Sequence, residues 1–198
     1  MREIAKTIGK RDWNFSVDPC SGKWGWATLN PVKGSENAVT CNCSFANATL
    51  CHVVSFLISS NNFSGALPAT FAKLTTMKDL VVQASGLVGP IPSGIAALEK
   101  LSDLRISDLN GTEATFPSLV GMKKMKILIL RSCNIIGKLP EYLRQMTTLK
   151  TLDLSFNKLS GEIPSSFSGL IDVDNIYLTG NLLTGSVPPW MLEKGGNM

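Results

Sequence analysis

One histidine, His52, is all that 198 residues offer. That scarcity excludes multi-histidine metal centres and leaves little room for histidine-based catalysis. His52 stands beside Cys51 and reads as a satisfied histidine of a cap or first strand, not a general base. No Ser or Cys nucleophile sits in a His–Asp context, and no phosphate-cradling loop is present. The glycines of "GLVGPIPSG" at 86–94 are repeat glycines. No apolar run reaches the roughly 18 residues of a membrane helix. The start, "MREIAKTIGKRDW", lacks the apolar centre of a secretory signal. An extracellular role would therefore make the chain a mature or incomplete portion of a longer product. Charge is sparse as well: 17% charged residues against 44% hydrophobic ones suit a buried core and not a disordered tail. The net charge of +4 says little about partners. The densest basic stretch, "GMKKMK" at 121–126, reads as a solvated convex surface and not a nucleic-acid arm. No enzyme activity, cofactor, metal, nucleic acid or membrane contact is expected of this chain.

What is present begins with cysteine. Cys20, Cys41, Cys43 and Cys51 cluster near the start, and Cys133 stands apart. One C-x-C pair with flanking single cysteines is not the usual zinc spacing, so disulfides and an oxidising compartment are the better reading. Sequence alone leaves three connectivities for four cysteines. Five N-x-S/T sequons, at Asn14, Asn42, Asn47, Asn62 and Asn110, point to the same compartment and are candidate glycosylation sites.

The second feature is a period of 24 residues. Leu149, Leu152, Leu154, Asn157, Leu159, Gly161, Ile163 and Pro164 recur in kind as Val173, Ile176, Leu178, Asn181, Leu183, Gly185, Val187 and Pro188. Steps backward reach Met125, Met77 and Val53 in the same frame. The unit at 101 is weaker: Leu109 replaces the Asn, Glu113 replaces the Gly, and Pro117 arrives one residue late. Six units thus start at 53, 77, 101, 125, 149 and 173 and run to 196. Within a unit, Leu-x-Leu suits a short strand with its apolar side inward. The Asn amide can satisfy backbone groups at the turn, the Gly permits a bend, and Ile-Pro fixes the return path. No unit buries its apolar face alone, so the units must stack, with a parallel sheet on one side and irregular or 3₁₀ segments on the other. Cys133 falls at the Asn position, where a buried, inert, free thiol is expected. The unit at 101, with its missing Asn and Gly, should be the local irregularity.

The pattern resembles the plant-type leucine-rich repeat. The resemblance implies an α/β repeat fold: a right-handed solenoid with its parallel sheet on the concave face. Residues 1–52 do not repeat. Ile4, Ala5 and Ile8 have helical spacing, and tryptophans and cysteines follow, as a cap over the first repeat requires. Asp-Pro-Cys at 18–20, a following Trp, and Val-Thr-Cys at 39–41 look like the N-terminal cap of plant leucine-rich-repeat receptor-like kinases. The "CNCS…CHV" ending, with "VQASGLVGPIPSGI" downstream, resembles a subfamily whose ectodomain continues into a malectin-like domain, a membrane helix and a Ser/Thr kinase. By that analogy Cys20 pairs with Cys41 and Cys43 with Cys51. The repeats are expected to end without a closing cap.

The resemblance implies extracellular recognition at the plasma membrane, with a peptide or protein ligand, a co-receptor or a cell-wall glycan as partner. Three concave columns vary where the structural positions do not. They read Leu57, Val81, Arg105, Ile129, Asp153, Tyr177; then Ser59, Gln83, Ser107, Arg131, Ser155, Thr179; then Ser60, Ala84, Asp108, Ser132, Phe156, Gly180. Arg105, Arg131, Asp153, Phe156 and Tyr177 form the candidate binding patch, with Arg105–Asp153 or Arg131–Asp153 ion pairs as the plain alternative. Two other functional classes stay open. One is a secreted inhibitor similar to polygalacturonase-inhibiting proteins; the other is a structural or ice-binding repeat protein, against which the mixed columns argue.

Overall fold

The computed structural model describes residues 1–11, 13–23, 25–27 and 37–193. The chain opens with helix α1 (Arg2–Ile8), which buries Ile4, Ala5 and Ile8. Gly9 ends it at φ 75°, a left-handed cap that suits a residue without Cβ. Behind α1 the rings of Trp13 and Trp26 lie 5.3 Å apart, and Trp13 meets Phe56 of the first repeat edge-on at 5.6 Å. Disulfides join Cys20 to Cys41 and Cys43 to Cys51.

The cap also supplies a strand. β1 (Asn37–Phe45) pairs antiparallel with β2 (Leu50–Ser59). It therefore covers the sheet edge that a bare first repeat would expose. From β2 onward every neighbour in this sheet is parallel: β3 (Asp79–Gln83), β4 (Asp103–Ser107), then β6 (Ile127–Arg131), β8 (Thr151–Asp153) and β10 (Asn175–Tyr177). Each rung turns two side chains inward. Phe56 and Ile58, Leu80 and Val82, Leu104 and Ile106, Leu128 and Leu130, Leu152 and Leu154 are all fully buried. Each contributes roughly 1.5–3 kcal/mol by leaving water.

A second sheet was not foreseen. β5 (Ala114–Thr115), β7 (Ile135–Lys138), β9 (Lys158–Gly161) and β11 (Leu182–Leu183) form a parallel ladder just past the turn of the rungs at β4, β6, β8 and β10. Beyond it come 3₁₀ turns at Ala69–Lys73, Ser93–Ala97, Glu141–Gln145 and Ser165–Gly169, each preceded by the repeat proline. A short α2 (Pro189–Glu193) takes the same place after Pro188. The expected sixth unit reaches 196, and residues 194–196 lie outside the described residues.

The unit at 101 carries no 3₁₀ turn over 117–121. Tyr142 braces that stretch from the next unit: its hydroxyl donates to Pro117 O at 2.6 Å and accepts from Leu119 N at 3.1 Å.

The turn after each concave strand differs from the expected glycine bend. The left-handed residues are Ser60, Ala84, Asp108, Ser132, Phe156 and Gly180, at φ between 46° and 69°. Among the repeat glycines, Gly137, Gly161 and Gly185 have positive φ, whereas Gly65 and Gly89 do not. Gly65 is required for another reason: a Cβ there would lie 1.7 Å from Thr7 O in α1.

The Asn column does what its chemistry allows. Asn157 Nδ2 donates to Leu130 O at 2.7 Å and Leu154 O at 2.9 Å, while Oδ1 accepts from Cys133 N at 3.0 Å and Ile135 N at 3.1 Å. Asn181 repeats the pattern with Leu154 O, Leu178 O and Leu159 N. Cys133 is buried and free. Its thiol faces Ile106 O and Arg131 O, a donor-only version of the same role.

Candidate functional site: the concave face

The sheet presents β2, β3, β4, β6, β8 and β10 side by side, about 4.8 Å apart. The column between the inward residues is half-buried at Leu57, Val81, Arg105, Ile129 and Asp153, and Tyr177 is exposed. This gives a shallow floor that is apolar at Leu57, Val81 and Ile129, interrupted by single charges.

The second column needs correction. Ser59, Ser107 and Ser155 are buried, at 6%, 4% and 0% exposure. A small hydroxyl at the strand end is covered by its neighbours, so only Gln83, Arg131 and Thr179 of that column stay accessible.

Arg105 does not pair with Asp153. Its Nε and Nη2 donate to the two carboxylate oxygens of Asp103, both at 2.7 Å. That hydrogen-bonded fork pushes the Arg105 pKa further up. Residues two apart on one strand point to the same face, so the sequence placed this partner closer than one two rungs away. Asp79 lies directly across from Asp103 in register. Burial, and then the charge of Asp103, raises its carboxyl pKa. Asp79 and Asp103 were missed because the three columns start at the residue between the inward pair and run onward from it. Starting two residues earlier would have found them.

Arg131 is also not paired with Asp153. Its guanidinium carbon lies 4.4 Å from the centroid of the Phe156 ring, and Nη1 donates to Ser155 Oγ at 3.3 Å. Asp153 accepts instead from the backbone N–H and hydroxyl of Ser155. Phe156 and Tyr177 are 49% and 46% exposed, a large unburied aromatic area for two neighbouring rungs. The left-handed backbone at Phe156 brings its ring over Arg131.

The face therefore divides. Toward the cap lie Asp79, Asp103 and Arg105; farther along lie Arg131, Phe156, Tyr177 and Asp153. Point charges, a cation–aromatic stack and an apolar floor suit reversible binding. Among the described residues no group of three or more His, Cys, Asp and Glu could hold a metal ion.

His52 sits on β2 opposite Asn42 and meets the Phe45 ring edge-on at 4.7 Å. Of the sequon residues, Asn47, Asn62 and Asn110 are exposed, while Asn14 and Asn42 are half-buried. Asn14 Oδ1 accepts from Ser16 N at 3.1 Å, and Asn42 Oδ1 from Ser44 N at 2.9 Å.

A stacked parallel ladder, an Asn column, Pro-led 3₁₀ turns and a disulfide-bonded cap define a leucine-rich-repeat solenoid. The leucine rich repeat family model matches residues 120–183. A probable LRR receptor-like serine/threonine-protein kinase of Arabidopsis thaliana is 40% identical over 89 residues, which is 44% of this chain and 9% of that protein. A second such kinase from the same plant is 36% identical, again over 9% of its length. The chain thus carries a leucine-rich-repeat domain whose curated relatives are plant receptor-like kinases, and it spans under a tenth of their length. Among solved structures, a plant ice-binding protein superposes with a TM-score of 0.74 at 26% identity, over 97% of this chain and 58% of that one. The Arabidopsis receptor kinase HAESA ectodomain, in complex with an IDA peptide hormone ligand, superposes with a TM-score of 0.65 at 32% identity, over 69% of this chain and 23% of that one.

Proposed function

We propose that the chain is the extracellular recognition portion of a plant leucine-rich-repeat receptor-like serine/threonine kinase, and that it binds a peptide or protein partner on the concave face. The observation that carries this is the Arg131–Phe156 stack, one rung from the exposed Tyr177, on rungs whose inward positions are uniformly apolar. Arg and exposed aromatics are the side chains that dominate binding energy at protein interfaces. The kinase relatives and the peptide-bound HAESA ectodomain support the same reading. Arg105 and Asp153 shape the surface, and Arg131, Phe156 and Tyr177 provide the anchoring contacts.

Panning a secreted plant peptide fraction against the chain tests the reading. Arg131→Ala and Tyr177→Ala should each weaken a captured peptide by more than about 1 kcal/mol, with the fold unchanged by circular dichroism. Undiminished capture by the double variant would refute the concave site. A complete transcript lacking a membrane helix and kinase would refute the receptor assignment.

The superposition on an ice-binding protein motivates a second reading. Ice recognition calls for a flat, regular face, and the column Leu57, Val81, Arg105, Ile129, Asp153, Tyr177 is neither. Inhibition of ice recrystallisation at micromolar protein would nevertheless favour it.

A further inference from the structure

The basic stretch at 121–126 has company from the preceding repeats. Lys78, Lys100, Lys123, Lys124 and Lys126 line one shallow depression on the flank where each repeat enters its concave strand. All five are exposed. Among the described residues none of the five is in an ion pair, whereas Lys73, Lys150 and Lys158 each have a carboxylate partner. They come from three consecutive rungs: Ser102 N donates to Lys78 O, and Lys126 N to Ser102 O, both at 2.8 Å. Lys78 to Lys126 therefore spans about 10 Å along the solenoid axis. The patch concentrates five positive charges on a chain whose net charge is +4.

The lining chemistry narrows the occupant. It contains no aromatic ring and no arginine, so there is no platform for stacked bases and no fork for a phosphate. The lining is lysine stems with Ser102 and Thr148, not a pocket for a peptide side chain. The rung backbone is already hydrogen-bonded there, so a peptide could not add as a strand. What remains is a row of mobile point charges with the Ser102 hydroxyl among them. Such a row suits a chain that repeats an anionic group at short intervals and carries hydroxyls between them.

We propose that this flank binds a linear acidic polysaccharide, with the uronate carboxylates along the lysine row. The site is separate from the concave face, and either can fail without the other.

Polygalacturonate is the probe, titrated into the chain at low salt by calorimetry. Saturable binding is expected, weakening as salt rises because the charges are exposed. The triple variant Lys100→Glu, Lys124→Glu, Lys126→Glu should lose more than about tenfold in affinity, since each lysine near a polyanionic surface contributes on the order of 1 kcal/mol. Lys138→Glu, on the second sheet, should lose little, and full methyl esterification of the polymer should abolish binding. Equal affinity in the triple variant would overturn the proposal. Tighter binding of poly-aspartate would overturn it in favour of an acidic peptide, and binding confined to anionic vesicles would overturn it in favour of a membrane surface. The variant's circular dichroism and melting temperature separate a lost site from a lost fold, and a chain that melts early is replaced by Lys100→Gln with Lys124→Gln.

Discussion

Asn157→Ala should be among the most damaging single substitutions in the solenoid, out of proportion to its size. The side chain is 6% exposed. It holds four backbone groups: the carbonyls of Leu130 and Leu154 and the N–H groups of Cys133 and Ile135, at 2.7 to 3.1 Å. Alanine leaves all four without that partner in a site closed to bulk water. Each stranded buried group costs about 1–3 kcal/mol, but carbonyls keep a second lone pair and some groups re-pair. An expected loss of about 3–5 kcal/mol follows, against a total of about 5–15 kcal/mol for a domain. One rung on, Asn181 holds Leu154 O, Leu178 O and Leu159 N but is half-buried, so Asn181→Ala should cost about 1–2 kcal/mol because it holds fewer groups and water replaces part of the set. Urea unfolding at neutral pH, followed by circular dichroism, measures both. A loss below about 1 kcal/mol at Asn157, or equal losses at the two sites, would show that burial does not govern the Asn column.

Two further predictions concern titration and the irregular unit. Burial pushes the Cys133 thiol from 9.0 up to about 12 and also raises Tyr142. The folded state then holds protons that the unfolded chain releases, so this stability is complete below pH 9 and is lost as pH rises toward 12. Cys133→Ala should flatten part of that decline in pH-dependent melting. Alkylation should count one thiol, reactive only after denaturation without reductant; five would remove the disulfides. Tyr142→Phe deletes the bonds to Pro117 O and Leu119 N, with an expected cost of about 1–2 kcal/mol. Hydrogen exchange should quicken first over 109–119, and unchanged protection there would mean that packing alone holds the stretch.

Much of the fold was legible because a solenoid repeats its instructions. A 24-residue frame containing Leu-x-Leu, Asn and Ile-Pro names the inward pair, the turn and the return, and Cys133 fell where its burial could be foreseen. The second sheet was not legible, because its strands are two to four residues long. They have no alternation of their own, and backbone pairing with the next rung makes them. β1 was hidden for a related reason: its pairing partner, β2, had already been assigned to the first repeat. The left-handed turn column defied residue type. Ser, Ala, Asp, Phe and Gly occupy it, and the stack enforces a conformation that Ser, Ala and Phe do not signal. Of the candidate site, the facing residues were legible, but the partners of Arg105 and Arg131 were not. Those depend on side-chain reach within a strand and across one turn.

On the proposed reading, that distinction decides which half of the concave face has side chains to spare for a ligand. Arg105 already makes two charge-assisted hydrogen bonds to Asp103, and a ligand carboxylate must displace an equivalent partner to use it. Such an exchange yields little net energy, because one fork replaces another. Asp79, facing Asp103, has its proton affinity raised by burial and then by the charge of Asp103. Arg131 is differently placed. It lies against a ring face and a single hydroxyl, a geometry that leaves several of its five N–H donors open. Phe156 holds the guanidinium plane in position, which reduces the entropy lost when those donors engage a carboxylate. Tyr177 adds an exposed ring one rung beyond. Binding energy should therefore concentrate at β6 to β10, with the cap-proximal charges setting which ligands are turned away.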